Sequence, residues 1–167
     1  MFTVSQILEQ IPNEGGLEVQ NLEKVLKLTK KPDKNRLNIA IEALNRIGLL
    51  ENIKDRLYKK NLDQNVIAAR IRCSSKGYSF AIRDDGEDDI YIRDHLLNHA
   101  WHGDRVLVKV TKDGYRRRSP EGSIICILER ANRSILAIID KEENRYIAKP
   151  IDDRIKGNII VNNLKEY

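Results

Sequence analysis

The sequence predicts an α+β chain in which a helical part comes first and strands follow. Up to about residue 63, apolar residues recur at spacings of three and four, which is the helical period. From Val66 onward, short apolar runs with two-residue alternation are separated by Gly, Asp, Asn and Ser, which is typical of strands. With 167 residues and 41% hydrophobic content, the chain can hold two or three small domains.

Residues 1–63 predict a winged helix-turn-helix domain. Three stretches with apolar residues at helical spacing predict three helices: residues 3–11, 17–28 and 33–47. Pro12 ends the first helix, Pro32 separates the second from the third, Asp33 is a candidate N-cap, and Gly48 ends the third. The residues after Gly48 predict two short strands around a polar turn, which completes the winged layout.

The predicted third helix is polar rather than strongly basic. Its basic residues are Lys34, Arg36 and Arg46, and lysines of the preceding turn and the hairpin add charge around it. A domain that reads duplex DNA usually has several cations on the recognition helix itself. Contact with structured RNA, contact with another domain, and a solvated surface without a partner therefore all stay open.

Residues 66–130 predict an oligonucleotide-binding barrel. Five apolar runs predict five strands: VIAARIRC, GYSFAIRD, DIYIRD, DRVLVKVT and GSIICILER. Residues 95–103 lie between the third and fourth runs and have room for one or two helical turns. Five short strands with a helix after the third is the pattern of this barrel.

Residues 131–167 repeat the strand pattern and predict the start of a second barrel. The runs SILAIID, YIAKPID and NIIVNN resemble three further strands. Half a barrel leaves strand edges unpaired. We therefore expect a truncated second domain and a chain that is part of a longer protein.

The stretch KGYSF predicts an outward-facing surface for nucleic acid. Side chains alternate along a strand, so Lys76, Tyr78 and Phe80 share one face. Ser79 and Ala81 share the other face, and their small size suits the crowded inside of a small barrel. We expect the two aromatic rings to face outward beside the lysine.

The next run, DIYIR, extends this surface. Ile90 and Ile92 are expected inside the barrel, which leaves Tyr91 and Arg93 outside. Aromatic rings stack on unpaired bases and neighbouring cations contact phosphates, so the sequence predicts a binding site for single-stranded nucleic acid. The alternative is that another domain covers these rings.

Arg116, Arg117 and Arg118 form a basic run before the fifth predicted strand. In an oligonucleotide-binding barrel the loop between strands 4 and 5 borders the binding face. We therefore expect phosphate contacts with little sequence selectivity, with a solvated turn as the alternative.

The sequence predicts no catalytic site, no metal site and no cofactor within this chain. The acids of residues 84–89 lack the spacing of a calcium loop and are expected to form a solvated hairpin. His95, His99 and His102 have helical spacing, but Gly103 would end that helix. Trp101 is expected to plug the end of the barrel.

The bulk composition is typical of a cytoplasmic protein. There is no run of membrane-spanning length, and the N-terminus lacks a basic region followed by an apolar one. Cys73 and Cys126 lie in strand-like runs and are expected to be buried free thiols. The net charge of +5 is modest, and we expect a monomer.

The motifs together resemble a known family. KGYSF followed by DIYIR is similar to the paired ribonucleoprotein motifs of cold-shock domains. AWHGDRVLVKV, the arginine run, EGSIICILERANRSILAIID and KPIDDRI resemble the N-terminal half of ribonuclease R and ribonuclease II. Trp101, where the family usually has Met, and Ser79, where cold-shock proteins favour Gly, are departures.

The resemblance implies a hydrolytic 3′→5′ exoribonuclease as the parent protein. Its helix-turn-helix and two cold-shock domains precede a catalytic domain in which aspartates hold magnesium. This chain would then grip single-stranded RNA and guide it to a catalytic domain that it lacks. Two alternatives are a stand-alone winged-helix regulator that binds DNA and an RNA chaperone without nuclease activity.

Overall fold

The computed structural model describes residues 2–63, 65–116, 118–143 and 145–162. The chain divides into two compact units, Met1–Val66 and Ile67–Tyr167. All α-helices of the described residues lie in the first unit, and the second is built from strands. None of these helices has both the length and the apolar character that a membrane span requires.

The first unit packs three helices on a three-stranded antiparallel sheet. Its elements in chain order are α1 (Val4–Gln10), β1 (Leu17–Glu18), α2 (Val19–Val25), α3 (Lys31–Arg46), β2 (Leu50–Lys54) and β3 (Leu57–Lys60). The strands are ordered β1-β3-β2. Thr3 caps α1 because its hydroxyl accepts from the Gln6 backbone N–H at 3.2 Å. The core contains Ile7, Leu22, Leu37, Ile41 and Leu50, each at most 2% exposed.

Both predicted boundaries of the second helix are wrong. The second helix begins at Val19, because Leu17 and its neighbour form β1, with Leu17 opposite Tyr58. Gly16 makes this pairing feasible, since a Cβ there would lie 2.9 Å from Leu57 Cγ. The helix also ends at Val25 rather than near residue 28.

The third helix begins before the predicted cap. α3 starts at Lys31, and Asp33 lies within its first turn instead of at the N-cap. Pro32 is tolerated there because proline lacks a backbone N–H, and the first turn of a helix needs no donor at that position. The Asp33 carboxylate then lies near the positive end of the helix dipole.

The second unit begins with a closed five-stranded barrel, as predicted. Its strands are β4 (Val66–Cys73), β5 (Ser79–Arg83), β6 (Ile90–Ile92), β7 (Arg105–Lys112) and β8 (Glu121–Glu129). They close in the order β4-β5-β6-β8-β7, and the β6–β8 pair is parallel. The interior is lined by buried residues that include Ala69, Ile71, Ala81, Ile90, Ile92, Val106 and Val108.

The connection between β6 and β7 holds one helical turn, which agrees with the one or two turns that the sequence predicts. It holds a single 3-10 turn, Asp94–Leu96, because Asn98 and His99 have positive φ values of 46° and 62° and cannot continue a helix. Leu97 and Ala100, each 4% exposed, join the barrel core at this point. Trp101 is partly exposed and packs against Arg130, and its role as a plug of the barrel end stays a prediction.

Asp104 joins the turn before β7 to the segment after β8. Its carboxylate is fully buried and accepts from the backbone N–H groups of Trp101 at 2.8 Å and Ala131 at 2.9 Å. Arg130 donates to the same carboxylate at 2.7 Å, and its guanidinium lies 4.5 Å from the centre of the Trp101 ring. These contacts connect the two ends of the β7–β8 hairpin.

A second antiparallel sheet follows the barrel within the same unit. It consists of β9 (Ala137–Glu142), β10 (Arg145–Pro150) and β11 (Ile159–Val161), with β10 in the centre. The three predicted strands are therefore present. The turn after β10 contacts the barrel through Arg154, whose Nη1 lies 3.3 Å from Nε2 of His102. That this sheet starts a second barrel stays a prediction.

Candidate nucleic-acid interface

Three aromatic side chains cluster on the outer face of β5 and β6. Phe80 lies opposite Tyr91 in the strand register, with ring centroids 5.6 Å apart. Tyr78, which immediately precedes β5, meets Phe80 edge-on at 6.2 Å and is 45% exposed. We call these three residues the aromatic platform. Because their rings touch one another, they form one continuous surface rather than three isolated side chains.

The opposite faces of the same strands point into the barrel. Ser79 and Ala81 on β5 are fully buried, as are Ile90 and Ile92 on β6. The two-residue alternation that places these side chains inside necessarily places the platform rings outside. The orientation predicted from the sequence is therefore confirmed for both strands.

The turn before β5 leaves one edge of the platform open. Ser74 N–H donates to the Tyr78 carbonyl at 2.9 Å, and Gly77 N–H donates to the Ser74 carbonyl at 3.1 Å. Gly77 has a φ of 87° and no atom near the position of a Cβ, so a ligand can approach the backbone. Lys76 is exposed within this turn, beside Tyr78.

The β6 side of the platform carries a cation with an acidic partner. Arg93 directly follows β6 and donates to Glu121 Oε2 at 2.9 Å. Lys112 Nζ lies 3.6 Å from the other oxygen of the same carboxylate. The structure thus places Arg93 where the sequence predicts it, but holds it in an ion pair that the sequence did not indicate.

Arg72 is a further candidate that we did not identify from the sequence. It lies opposite Phe80 in the β4–β5 register and is exposed. The alternation of β4, with buried Ile71 and Cys73, already indicates that Arg72 faces outward. Arg70 shares that face, but it donates to the Gly103 carbonyl at 2.9 Å and so supports the fold.

The loop between β7 and β8 forms a basic depression. Backbone hydrogen bonds join Tyr115 to Arg118 in both directions, at 3.2 and 3.1 Å, and tighten the turn. Arg116 has a φ of 56°, and its guanidinium lies 5.2 Å from the centre of the exposed Tyr115 ring. A depression of about 570 Å³ is lined by Lys112, Asp113, Tyr115, Arg116, Arg118, Ser119 and Glu121. Arg117 lies outside the described residues.

This depression adjoins the aromatic platform. Tyr91 N–H donates to the Pro120 carbonyl at 2.8 Å, and Tyr91 lies opposite Glu121 in the β6–β8 register. The Glu121 carboxylate therefore has the platform, Arg93 and the depression as neighbours. The predicted platform residues and the two described arginines of the loop belong to one continuous surface of the barrel.

The acidic hairpin and His102 have structural contacts. The bidentate hydrogen bond from Arg83 lowers the pKa of Asp85, and Arg105 contacts Asp84 at 3.3 Å. His102 Nδ1 accepts from the Cys73 backbone N–H at 3.1 Å. Over the described ranges, no three His, Cys, Asp or Glu side chains converge in a way that could hold a metal ion.

Two family models match the sequence. The model for the N-terminal domain of cyanobacterial ribonuclease R matches residues 5–60, and the model for the ribonuclease B OB domain matches residues 69–127. The first lies within the helical unit and the second within the barrel. The chain belongs to the ribonuclease R family and corresponds to the N-terminal region of its members. The resemblance inferred from the motifs is therefore confirmed.

Individual relatives extend this match along the chain. The acetazolamide conferring resistance protein zam of Synechocystis sp. is 44% identical over 92% of this chain. Ribonuclease R of Vibrio parahaemolyticus is 26% identical over 94% of it. The chain spans about a fifth of these relatives, 20% and 19% of their respective lengths.

A solved ribonuclease R structure is also similar to part of the chain. The Mycoplasma genitalium enzyme, in complex with ribose methylated single-stranded RNA, aligns with a TM-score of 0.39 and 23% identity. The alignment covers 51% of this chain and 14% of that one.

Proposed function

We propose that this chain is the RNA-binding N-terminal region of a ribonuclease R-type 3′→5′ exoribonuclease, and that its barrel grips single-stranded RNA. The observation that carries this proposal is the aromatic platform, in which Tyr78, Phe80 and Tyr91 touch on the outer face of the barrel. Stacking of a base on such a ring contributes about 1–3 kcal/mol and tolerates any base sequence.

Cations around the platform support binding of the sugar–phosphate backbone. Lys76 and Arg72 lie on one side, and Arg93 with the loop arginines lies on the other. A base on the rings would therefore have basic side chains on both sides. This arrangement suits an unpaired strand, because paired bases in a duplex do not expose their faces for stacking.

In the whole protein, the barrel would guide the strand to a catalytic domain. The family supplies hydrolysis through magnesium held by aspartates of that domain, and we assign neither magnesium nor a catalytic residue to this chain. We further propose that 131–167 is the start of a second cold-shock domain, and that the protein acts in the cytoplasm as a monomer.

We propose that the first unit is a winged helix domain that contacts structured RNA. The order α1-β1-α2-α3-β2-β3, with the sheet order β1-β3-β2, supports the winged helix. A depression beside α2 and α3 includes Lys24, Lys27, Lys34 and Arg56, which supports contact with phosphates. Glu23 binds Lys34 at 2.7 Å, so part of this charge is neutralised internally.

The test is equilibrium binding of fluorescently labelled single-stranded RNA and duplex DNA, each measured over a range of salt concentrations. We expect single-stranded RNA to bind more tightly, with an affinity that falls as salt rises. Tyr78→Ala combined with Phe80→Ala should weaken RNA binding about tenfold or more, because two stacking contacts are lost.

A control variant removes exposed apolar side chains elsewhere in the same unit. Leu136 and Ile138 are 76% and 60% exposed near the second sheet, and their replacement by Ala should leave RNA affinity unchanged. Tighter binding of duplex DNA than of RNA would favour the regulator alternative. Equal RNA affinity in the platform variant and the wild type would refute the role of the rings.

A further inference from the structure

We infer that Glu121 is an electrostatic latch, which holds Arg93 and Lys112 in the free protein and releases them to RNA phosphates. This inference rests on the proposed RNA-binding function and names a residue that sets its strength. The two oxygens of the carboxylate have different partners, Arg93 at 2.9 Å and Lys112 at 3.6 Å. One acidic side chain thus engages two cations of the proposed binding surface.

Glu121 lies between the aromatic platform and the basic depression, where its charge would affect a bound RNA strand. It begins β8 opposite Tyr91 of the platform and also lines the basic depression of the β7–β8 loop. An RNA strand that runs from the stacked rings to Arg116 and Arg118 would pass beside Glu121. A phosphate at this point meets a like charge as well as two occupied cations.

The latch can open because its ion pairs are exposed. The side chains of Arg93 and Lys112 are 56% and 64% exposed, and exposed ion pairs contribute little to the stability of a protein. A phosphate can therefore replace the carboxylate at little cost. Among the described residues, no ion pair holds Arg72 or Lys76 on the other side of the platform.

The test is Glu121→Gln, which keeps the shape of the side chain and removes its charge. The hydrogen bond from the Thr111 hydroxyl goes to the Glu121 backbone carbonyl, so the substitution leaves it in place. We expect labelled single-stranded oligouridylate to bind about two- to tenfold more tightly at low salt. The slope of log affinity against log salt should steepen by about 0.7 for each additional phosphate that the released cations neutralise.

Glu129→Gln is the matched control. Glu129 is exposed on the same strand, β8, about 27 Å further along at 3.4 Å per residue, so the change in net charge is identical. We expect the control to change affinity less than Glu121→Gln. An equal increase in affinity in both variants would show a general charge effect and overturn the latch.

A double-mutant cycle identifies the cation. In an Arg93→Gln background, Glu121→Gln should increase affinity less than in the wild type, because one of the released cations is absent. An equal increase in both backgrounds, or a loss of affinity in Glu121→Gln with an unchanged thermal unfolding midpoint, contradicts the inference. If the platform variant loses affinity while Glu121→Gln changes nothing, the latch fails and the proposed function stands.

Discussion

The thiol of Cys126 lies within β8 and is partly buried there. Burial raises its pKa from the ordinary value of 9.0 to about 11, because the thiolate loses hydration in the fold. In the unfolded chain the same thiol ionises at its ordinary pKa. The folded state therefore retains this proton over a pH range in which the unfolded state has released it.

We predict that the barrel unit loses stability between about pH 9 and 11, and that Cys126→Ala reduces this loss. Below pH 9 both states hold the proton, so the thiol contributes no pH dependence. Over this pH range, the rise in pKa from 9.0 to about 11 corresponds to a loss of stability of about 3 kcal/mol at most. Urea midpoints of Trp101 fluorescence at pH 8 and pH 10.5 measure it.

Cys73 is present in both the wild type and the Cys126→Ala variant, and burial raises the pKa of its thiol as well. The difference between variant and wild type therefore isolates Cys126. An identical alkaline loss in the two proteins would show that the Cys126 thiol is not shielded from water.

Individual residues of the platform could be predicted from the sequence, but their electrostatic partners could not. Alternation alone places Ser79 and Phe80 on opposite faces, because the strand period is two. The Arg93–Glu121 pair spans 28 positions and depends on the parallel pairing of β6 with β8. No local pattern in the sequence indicates that pairing.

At the level of elements, hydrogen bonds to the Asp104 carboxylate join the start of β7 to the end of β8. Three donors reach it, from the turn before β7 and from the segment after β8, within 2.7–2.9 Å. It is fully buried, whereas the side chain of its partner Arg130 is 38% exposed. Removal of the carboxylate would leave the backbone N–H groups of Trp101 and Ala131 without this acceptor.

We predict that Asp104→Ala lowers the free energy of unfolding of the barrel unit by about 3 kcal/mol. Trp101 is the only tryptophan in the sequence and lies against Arg130, so its fluorescence reports on this joint. Asp153→Ala removes an exposed carboxylate from the same unit and is the control. A decrease in the free energy of unfolding no larger than that of the control would show that the contacts of Asp104 do not stabilise the barrel.

The strands of the barrel could be predicted because each combines an apolar run with a bounding turn. The backbone path of the segment between β6 and β7 could not be predicted. Helical spacing over residues 95–103 is present, but Asn98 and His99 adopt left-handed backbone conformations that side-chain periodicity does not encode. The two-residue strand β1 was missed for a related reason, since two residues cannot establish a period.

At the scale of the whole molecule, the units have different chemistry. The barrel presents contiguous rings with cations on both sides, whereas the helical unit presents a polar third helix and a depression with three lysines and one arginine. Composition hides this contrast, because a net charge of +5 on 167 residues is too small to indicate a nucleic-acid partner. The contrast between the two units becomes visible only in the placement of residues within strands.

The central claim is that the platform rings stack on RNA bases, and an abasic strand tests it most directly. Single-stranded RNA and a strand of equal length and charge without bases would be titrated against the wild type and against Tyr78→Ala with Phe80→Ala. We predict that removal of the bases weakens wild-type binding about tenfold or more and has much less effect in the variant, since both changes delete the same contacts. An equal loss in the two proteins would contradict the claim, because the rings would then make no contact with the bases.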